Sequence, residues 1–324
     1  MSDDKIKLLY IVGNGRSGST LLATILGQID GFFNVGELRR VWDRAILEEH
    51  ECGCGRPFRH CPVWQEIFTQ AFGGMDLGMA RQMAEIRDRY TQTKHLPGMV
   101  WRSRQGDGAA PPAAVAGGGA AEEREFMARL GQLYTAVAQT TGCRVIVDAS
   151  KWPTYAYMLD QVPQLDIYYL HLVRDPRAVA FSWSRVKQRA PGQTMPRQSA
   201  LSSTFYWLVW NPVISYFWGR RHGRAPAGHY LFLPYEQFVR TPRQSVADIA
   251  RFIGETPTEL PFVGEDALVQ PTHAVAGNEA RLASGSIKIR LDDEWQRKLP
   301  WGKKMLVSAL TWPLRPKYGW RPPQ

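Results

Sequence analysis

Leu8-Leu9-Tyr10-Ile11-Val12-Gly13-Asn14-Gly15-Arg16-Ser17-Gly18-Ser19-Thr20-Leu21-Leu22-Ala23-Thr24-Ile25-Leu26 is the stretch whose reading decides the fold. Its apolar opening reads as a buried strand, its glycine-punctuated centre as a turn, and its end as a helix. The turn has the spacing of a phosphate-binding loop, Gly-x-x-x-x-Gly followed by two further positions. The second of those positions is a hydroxyl, Thr20. The first is Ser19, where a nucleotide-hydrolysing loop carries the lysine that reaches the β- and γ-phosphates. The cation inside the loop is Arg16. A metal–triphosphate is poorly served by such a set. Backbone N–H groups at a helix N-terminus, hydroxyls from Ser17, Ser19 and Thr20, and one guanidinium suit a phosphate or sulfate that needs no metal.

Working outward, the apolar runs Arg144-Val145-Ile146-Val147-Asp148, Asp166-Ile167-Tyr168-Tyr169-Leu170-His171-Leu172-Val173 and His229-Tyr230-Leu231-Phe232-Leu233 read as three more strands. Helical patterns separate them at about 75–90, 121–140, 203–221 and 242–252. Pro176 suits the first position of another helix, running towards Arg189. Asn34 and Gly36 read as turn residues before a helix over 37–48, with Glu37 in its first turn. Strands that are apolar throughout, alternating with helices, imply an α/β fold. It is P-loop-like and three-layered, with a central parallel sheet flanked by helices. Residues 1–324 read as a single domain with a variable insertion at about 75–121, whose end is low-complexity Gly/Ala/Pro.

In such sheets ligands bind beyond the carboxyl ends of the strands. The first strand ends in the glycine loop. The second ends in Asp148-Ala149-Ser150-Lys151, and the third in Arg174-Asp175-Pro176-Arg177. Three polar tips therefore converge on one edge.

Composition sets bounds. A hydrophobic fraction of 44% is that of a globular protein, and no apolar run is long enough to span a bilayer. Four cysteines in 324 residues make no disulfide scaffold, and the N-terminus has no signal-peptide pattern, so the expectation is a cytoplasmic protein. With 40 Lys+Arg against 30 Asp+Glu the net charge is +10, which fits an anionic ligand. Cys52, Cys54 and Cys61, beside His50 and His60, have neither Cys-x-x-Cys spacing nor a distant partner pair. They read as a compact glycine-rich turn with buried thiols rather than a zinc site or a Cys–Cys bond.

The loop Gly15-Arg16-Ser17-Gly18-Ser19-Thr20-Leu21-Leu22 resembles the 5′-phosphosulfate loop of sulfotransferases that use 3′-phosphoadenosine 5′-phosphosulfate (PAPS). Leu172-Val173-Arg174-Asp175-Pro176-Arg177-Ala178-Val179-Ala180-Phe181-Ser182 resembles their 3′-phosphate motif. The segments Leu233-Pro234-Tyr235-Glu236 and 273–281, with the cysteine turn, are similar to the bacterial branch related to carbohydrate and tyrosylprotein sulfotransferases. The resemblance implies PAPS as donor with no metal required. Its acceptor would be a hydroxyl on a carbohydrate, lipid or other small molecule, without nucleic acid as partner. Arg16, Ser17, Gly18, Ser19 and Thr20 would hold the phosphosulfate. Arg174 and Ser182 would hold the 3′-phosphate, and Tyr235, Asn278 and Arg281 would complete the nucleotide site. Gly36-Glu37-Leu38-Arg39 resembles the segment bearing the tyrosylprotein-branch base, so Glu37 takes that role. Lys151, helped by Arg16, stands where the family places a cation at the transferred group. Asp148 reads as ordering its loop, and His273 as loop structure or a second base. A P-loop kinase or NTPase is the alternative, weakened by the missing lysine. A basic binding module would explain the charge but not the three strand tips.

Overall fold

The structure, a computed structural model, describes residues 5–105, 119–185, 188–190, 193–194, 197–219 and 224–319. Five parallel strands form the central sheet: β1 (Ile6–Val12), β2 (Phe32–Gly36), β3 (Val145–Lys151), β4 (Leu165–Val173) and β7 (Tyr230–Pro234), in the spatial order β2-β3-β1-β4-β7. Between β4 and β7 lies a small antiparallel pair, β5 (Gln188–Ala190) and β6 (Gln193–Thr194). A separate antiparallel sheet of β8 (Phe262–Val263), β9 (Asp266–Val269) and β10 (Gly285–Ile287) follows. β1 sits between β3 and β4, so the connections leave it in opposite directions. The crevice at its carboxyl end is the topological switch point of the sheet.

The helices follow in chain order. They are α1 (Ser19–Leu26), α2 (Pro62–Phe72), α3 (Leu77–Tyr90), α4 (Leu96–Gln105), α5 (Ala120–Thr141), α6 (Pro153–Leu159) and α7 (Pro176–Ser184). Then come α8 (Ala200–Phe217), α9 (Tyr235–Arg240), α10 (Pro242–Phe252), α11 (Trp295–Lys298) and α12 (Trp301–Thr311). Proline opens α2, α6, α7 and α10, where its missing N–H costs nothing and its fixed φ suits the first turn.

β1 shows why the sheet is covered on both faces. Leu8, Tyr10 and Val12 enter one apolar cluster, while Leu9 and Ile11 enter another. This is the two-residue alternation of a strand buried on both sides. The first cluster takes in α2, α5, α6 and α8. It also takes in Ala80, Met83, Leu96 and Met99 from α3 and α4. The second is built from α1, α9 and α10. The described helices of the 75–121 segment thus pack into the main core rather than standing apart from it.

Four sequence expectations change. The Asn34/Gly36 turn is the end of a strand, β2. Asn34 Oδ1 accepts from the Gly36 N–H at 2.9 Å, and the register against β3 shifts there, so the turn chemistry makes a bulge. The helix over 37–48 is instead a 3₁₀ turn at Leu38–Arg40 followed by a π-helix at Val41–Leu47. The cause is backbone pairing at its start: the Glu37 N–H donates to the Val275 carbonyl at 2.9 Å and pins the chain. β3 runs on to Lys151, beyond the run ending at Asp148 that the sequence marks as the strand. α7 stops at Ser184 rather than near Arg189, because the chain turns extended at Arg185. The expected helix end at Arg221 and most of the Gly/Ala/Pro stretch lie outside the described residues. No described helix is long and apolar enough to cross a membrane.

Candidate active site

At the carboxyl ends of β1, β3 and β4 lies a cavity of about 430 Å³. The glycine loop forms its floor. Gly18 caps α1 with φ 88°, a left-handed conformation that glycine adopts without strain. A Cβ there would lie 2.5 Å from the Tyr235 ring, so the loop and that ring are fitted to each other. Arg16 takes φ 72° and Lys151 takes φ 71°. Of the four described non-glycine residues with positive φ, these two line the cavity, where such strain costs free energy that the surrounding structure must hold. The two strained segments are tied together: the Gly13 N–H donates to the Lys151 carbonyl at 3.1 Å.

Lys151 Nζ donates to Glu37 Oε1 at 2.7 Å and to the Ala149 carbonyl at 2.8 Å. An acid and a cation from two different strand ends therefore face each other within the cavity. Asp148 lies behind them, fully buried. Its carboxylate accepts from the Tyr134 hydroxyl at 2.5 Å and the Ser150 N–H at 2.7 Å, and burial pushes its pKa up to about 6. It orders the end of β3 and does not line the cavity.

At the tip of β4, Arg174 is nearly buried. It donates to the Arg16 carbonyl at 3.1 Å, pairs with Asp292 at 3.2 Å and stacks 4.5 Å from the Tyr235 ring. Asp175 leaves Arg174 alone. It caps α7 through the Arg177 N–H at 2.8 Å and pairs with the Arg177 guanidinium. Burial raises the Asp292 carboxyl, but Arg174 and Arg185 more than offset this and hold it below its usual range. Both terminal nitrogens of Arg174 are thus engaged, one by the Arg16 carbonyl and the other by Asp292. Ser182, two turns into α7, lines the same end.

Of the sequence-derived candidates, Arg16, Gly18, Ser19, Thr20, Glu37, Lys151, Arg174, Ser182, Tyr235 and Asn278 all line this one cavity. Ser17 is buried and does not line it. Arg281 does not line it: its guanidinium donates to the Glu51 carbonyl at 2.7 Å, towards the cysteine turn. His273 is likewise turned to that cluster of cysteines. Gly285 lies in β10.

Sequence reasoning passed over Arg39, Arg40 and Arg44, which line the cavity beyond Glu37. Arg39 is buried, stacks 4.0 Å from the Trp152 ring, and is brought down to about 10 by burial and the neighbouring Arg87 and Arg40. Their clue was position, one turn and two turns after the acid. Trp152, Tyr206 and Trp210 form an aromatic wall here, whereas Trp42, Trp64 and Trp207 are core.

Comparison with known proteins fits this geometry. Residues 9–259 match the sulfotransferase family. The chain belongs to that family. Among solved structures, the sulfotransferase domain from the Synechococcus PCC 7002 olefin synthase shares 18% identity, over 98% of this chain and 96% of that one, with a TM-score of 0.53. The sulfotransferase domain from the curacin biosynthetic pathway shares 20%, over 95% and 97%, with a TM-score of 0.50. At these identities the likeness is one of fold. Among curated proteins no sequence matches.

The donor expected of a sulfotransferase can be tested against these residues. Ser17 Oγ and the Arg174 Nε are buried and lack a hydrogen-bond partner among the described residues. Buried donors without acceptors are costly unless a ligand satisfies them. Arg174 reaches the loop through the Arg16 carbonyl, so these donors form one contiguous set whose chemistry suits an anionic ligand.

Proposed function

We propose that the chain moves a sulfuryl group from PAPS to an acceptor hydroxyl of a small molecule, glycan or lipid, by in-line displacement. PAPS, when bound, supplies a sulfuryl group activated by its bond to phosphate. The loop amides with Arg16, Ser17, Gly18, Ser19 and Thr20 hold the 5′ end. Arg174 and Ser182, with Tyr235 and Asn278, hold the 3′-phosphate end. Glu37 takes the proton of the acceptor hydroxyl. Lys151 and Arg16 stabilise the negative charge that develops on the oxygens around the transferred group. The aromatic wall of Trp152, Tyr206 and Trp210 receives the acceptor.

The observation that carries this reading is the Glu37–Lys151 pair, 2.7 Å apart in the cavity that also holds the glycine loop and Arg174. A base and a charge-stabilising cation are what an in-line transfer to a hydroxyl requires once the donor is positioned. The test is calorimetric titration with 3′-phosphoadenosine 5′-phosphate in the absence of added metal. Wild-type protein binds. Arg174→Ala binds about a hundredfold more weakly, the worth of about two charge-assisted hydrogen bonds. Magnesium-dependent ATP turnover without affinity for this nucleotide would overturn the proposal.

A further inference from the structure

We propose that Cys52, Cys54, Cys61 and His273 form a structural zinc site. It lies away from the cavity, and the sulfotransferase reading does not require it.

The four ligand atoms lie within 4.8 Å of one another. Cys54 Sγ is 3.8 Å from Cys61 Sγ. His273 Nδ1 is 3.2 Å from Cys61 Sγ and 3.9 Å from Cys52 Sγ. A tetrahedral zinc ion with ordinary Zn–S and Zn–N bonds sets its ligands apart by about 3.8 Å between sulfurs and about 3.6 Å between sulfur and nitrogen. The separations cluster around those edges. They are far from the ~2 Å of a bonded sulfur pair, and all four cysteines of the chain are free. Three thiolates and one imidazole are a ligand set zinc favours in closed structural sites.

The scaffold around the ligands is built to hold them still. The Cys52 N–H donates to the Arg56 carbonyl, and the Gly55 N–H to the Cys52 carbonyl, closing a tight turn that presents Cys52 and Cys54 together. Cys61 sits at the N-cap of α2, fixed by the proline that follows it. His273 arrives 212 positions after Cys61. Its ring stacks on Phe33, and its carbonyl accepts from the Trp64 indole at 2.6 Å. Beside it the Gly53 N–H donates to the Ala274 carbonyl at 3.0 Å. A Cβ on Gly53 would lie 2.5 Å from the Thr272 carbonyl oxygen, so the two segments approach as closely as glycine permits. Cys52 and Cys61 are buried while Cys54 and His273 are partly open, which leaves the ion a way in.

The site fastens the turn at 51–61 to the segment at 272–278. That segment pairs through Val275 with Val35 and Glu37, and carries Gly277 and Asn278 to the cavity. The zinc therefore staples in place the segment that pairs with Glu37.

Protein purified without a metal-affinity tag is analysed for metal by mass spectrometry and for thiols under denaturing conditions. The proposal expects one zinc per chain and no disulfide. Zinc is released by a mercurial reagent as thiols are consumed. Exchange to cobalt gives the visible bands of a tetrahedral thiolate site. Cys54→Ser and His273→Asn lower zinc content, and removal of zinc from wild type lowers its thermal midpoint. Because a variant could simply misfold, the cobalt spectrum of the wild-type chain decides. Metal-free protein that takes up no cobalt, or one in which two of the three cysteines are joined as a disulfide, would overturn the proposal. Neither readout uses PAPS, so a failed zinc site leaves the proposed activity standing, and a failed activity leaves the zinc site standing.

Discussion

The pairing of Glu37 with Lys151 makes a sharp demand of a single atom. Glutamine at position 37 keeps the length of the side chain and still offers an oxygen to Lys151, but it cannot take a proton. If Glu37 is the base, Glu37→Gln lowers kcat by about 10²- to 10⁴-fold, the usual contribution of general-base catalysis. Binding of 3′-phosphoadenosine 5′-phosphate, measured by calorimetry, should stay near the wild-type value. Turnover close to wild type would remove Glu37 from the role. At this scale the sequence was informative wherever chemistry depends on neighbours in the chain. The glycine loop and the Arg174 tip were legible because each is one short segment. A motif gives a residue's neighbourhood along the chain but not the direction of its side chain: Arg281, expected at the nucleotide site, turns to the Glu51 carbonyl.

Among the elements, β3 does the most with the fewest residues. Successive positions supply Asp148 to order the strand end, Ser150 to accept the Arg39 N–H at 3.0 Å, and Lys151 for the cavity. The cost is a buried carboxylate. Its folded pKa, about 6, exceeds the ordinary 3.8, so the native state holds a proton that the unfolded chain releases. The resulting stabilisation is complete below about pH 4 and is lost as pH rises through 6. His171 on β4, lowered to about 4 by burial, works in the opposite sense. Its contribution is present above about pH 6.5 and fades as pH falls through 4. The two slopes oppose each other in wild type. Comparing Asp148→Asn with wild type by urea denaturation isolates the first: the variant gains about 3 kcal/mol on wild type between about pH 4 and pH 7. A constant difference across that range would contradict the assignment. Strand tips were readable from sequence because apolar runs and abrupt polar ends are local. β2 was not, since Asn34 and Gly36 carry turn chemistry and only pairing with β3 makes them strand. The π-helix after Glu37 was hidden for the same reason, being shaped by the distant Val275.

For the molecule as a whole, parallel α/β architecture followed from alternation alone, but what joins the layers did not. The proposed zinc ligand His273 and the aromatic wall of α8 reach their places only through long-range packing, which leaves no trace in local spacing. The same packing bears on whether the insertion is a separate unit. Met83 of α3 and Met99 of α4 share one cluster with Tyr10 and Val12 of β1, whose other face, Leu9 and Ile11, belongs to the second cluster. Opening the insertion therefore exposes the side of the strand from which the glycine loop springs. Melting should then be one cooperative transition, with no earlier step from the insertion helices. If the nucleotide bridges the tips of β1 and β4 as proposed, it should shift that transition as a unit. At a hundredfold excess over its Kd, 3′-phosphoadenosine 5′-phosphate adds about 2.7 kcal/mol and raises the midpoint by several degrees. Scanning calorimetry with and without the nucleotide reads both outcomes. Two resolved transitions, only one of them moving with ligand, would mean that the insertion folds apart from the core despite the apolar surface they share.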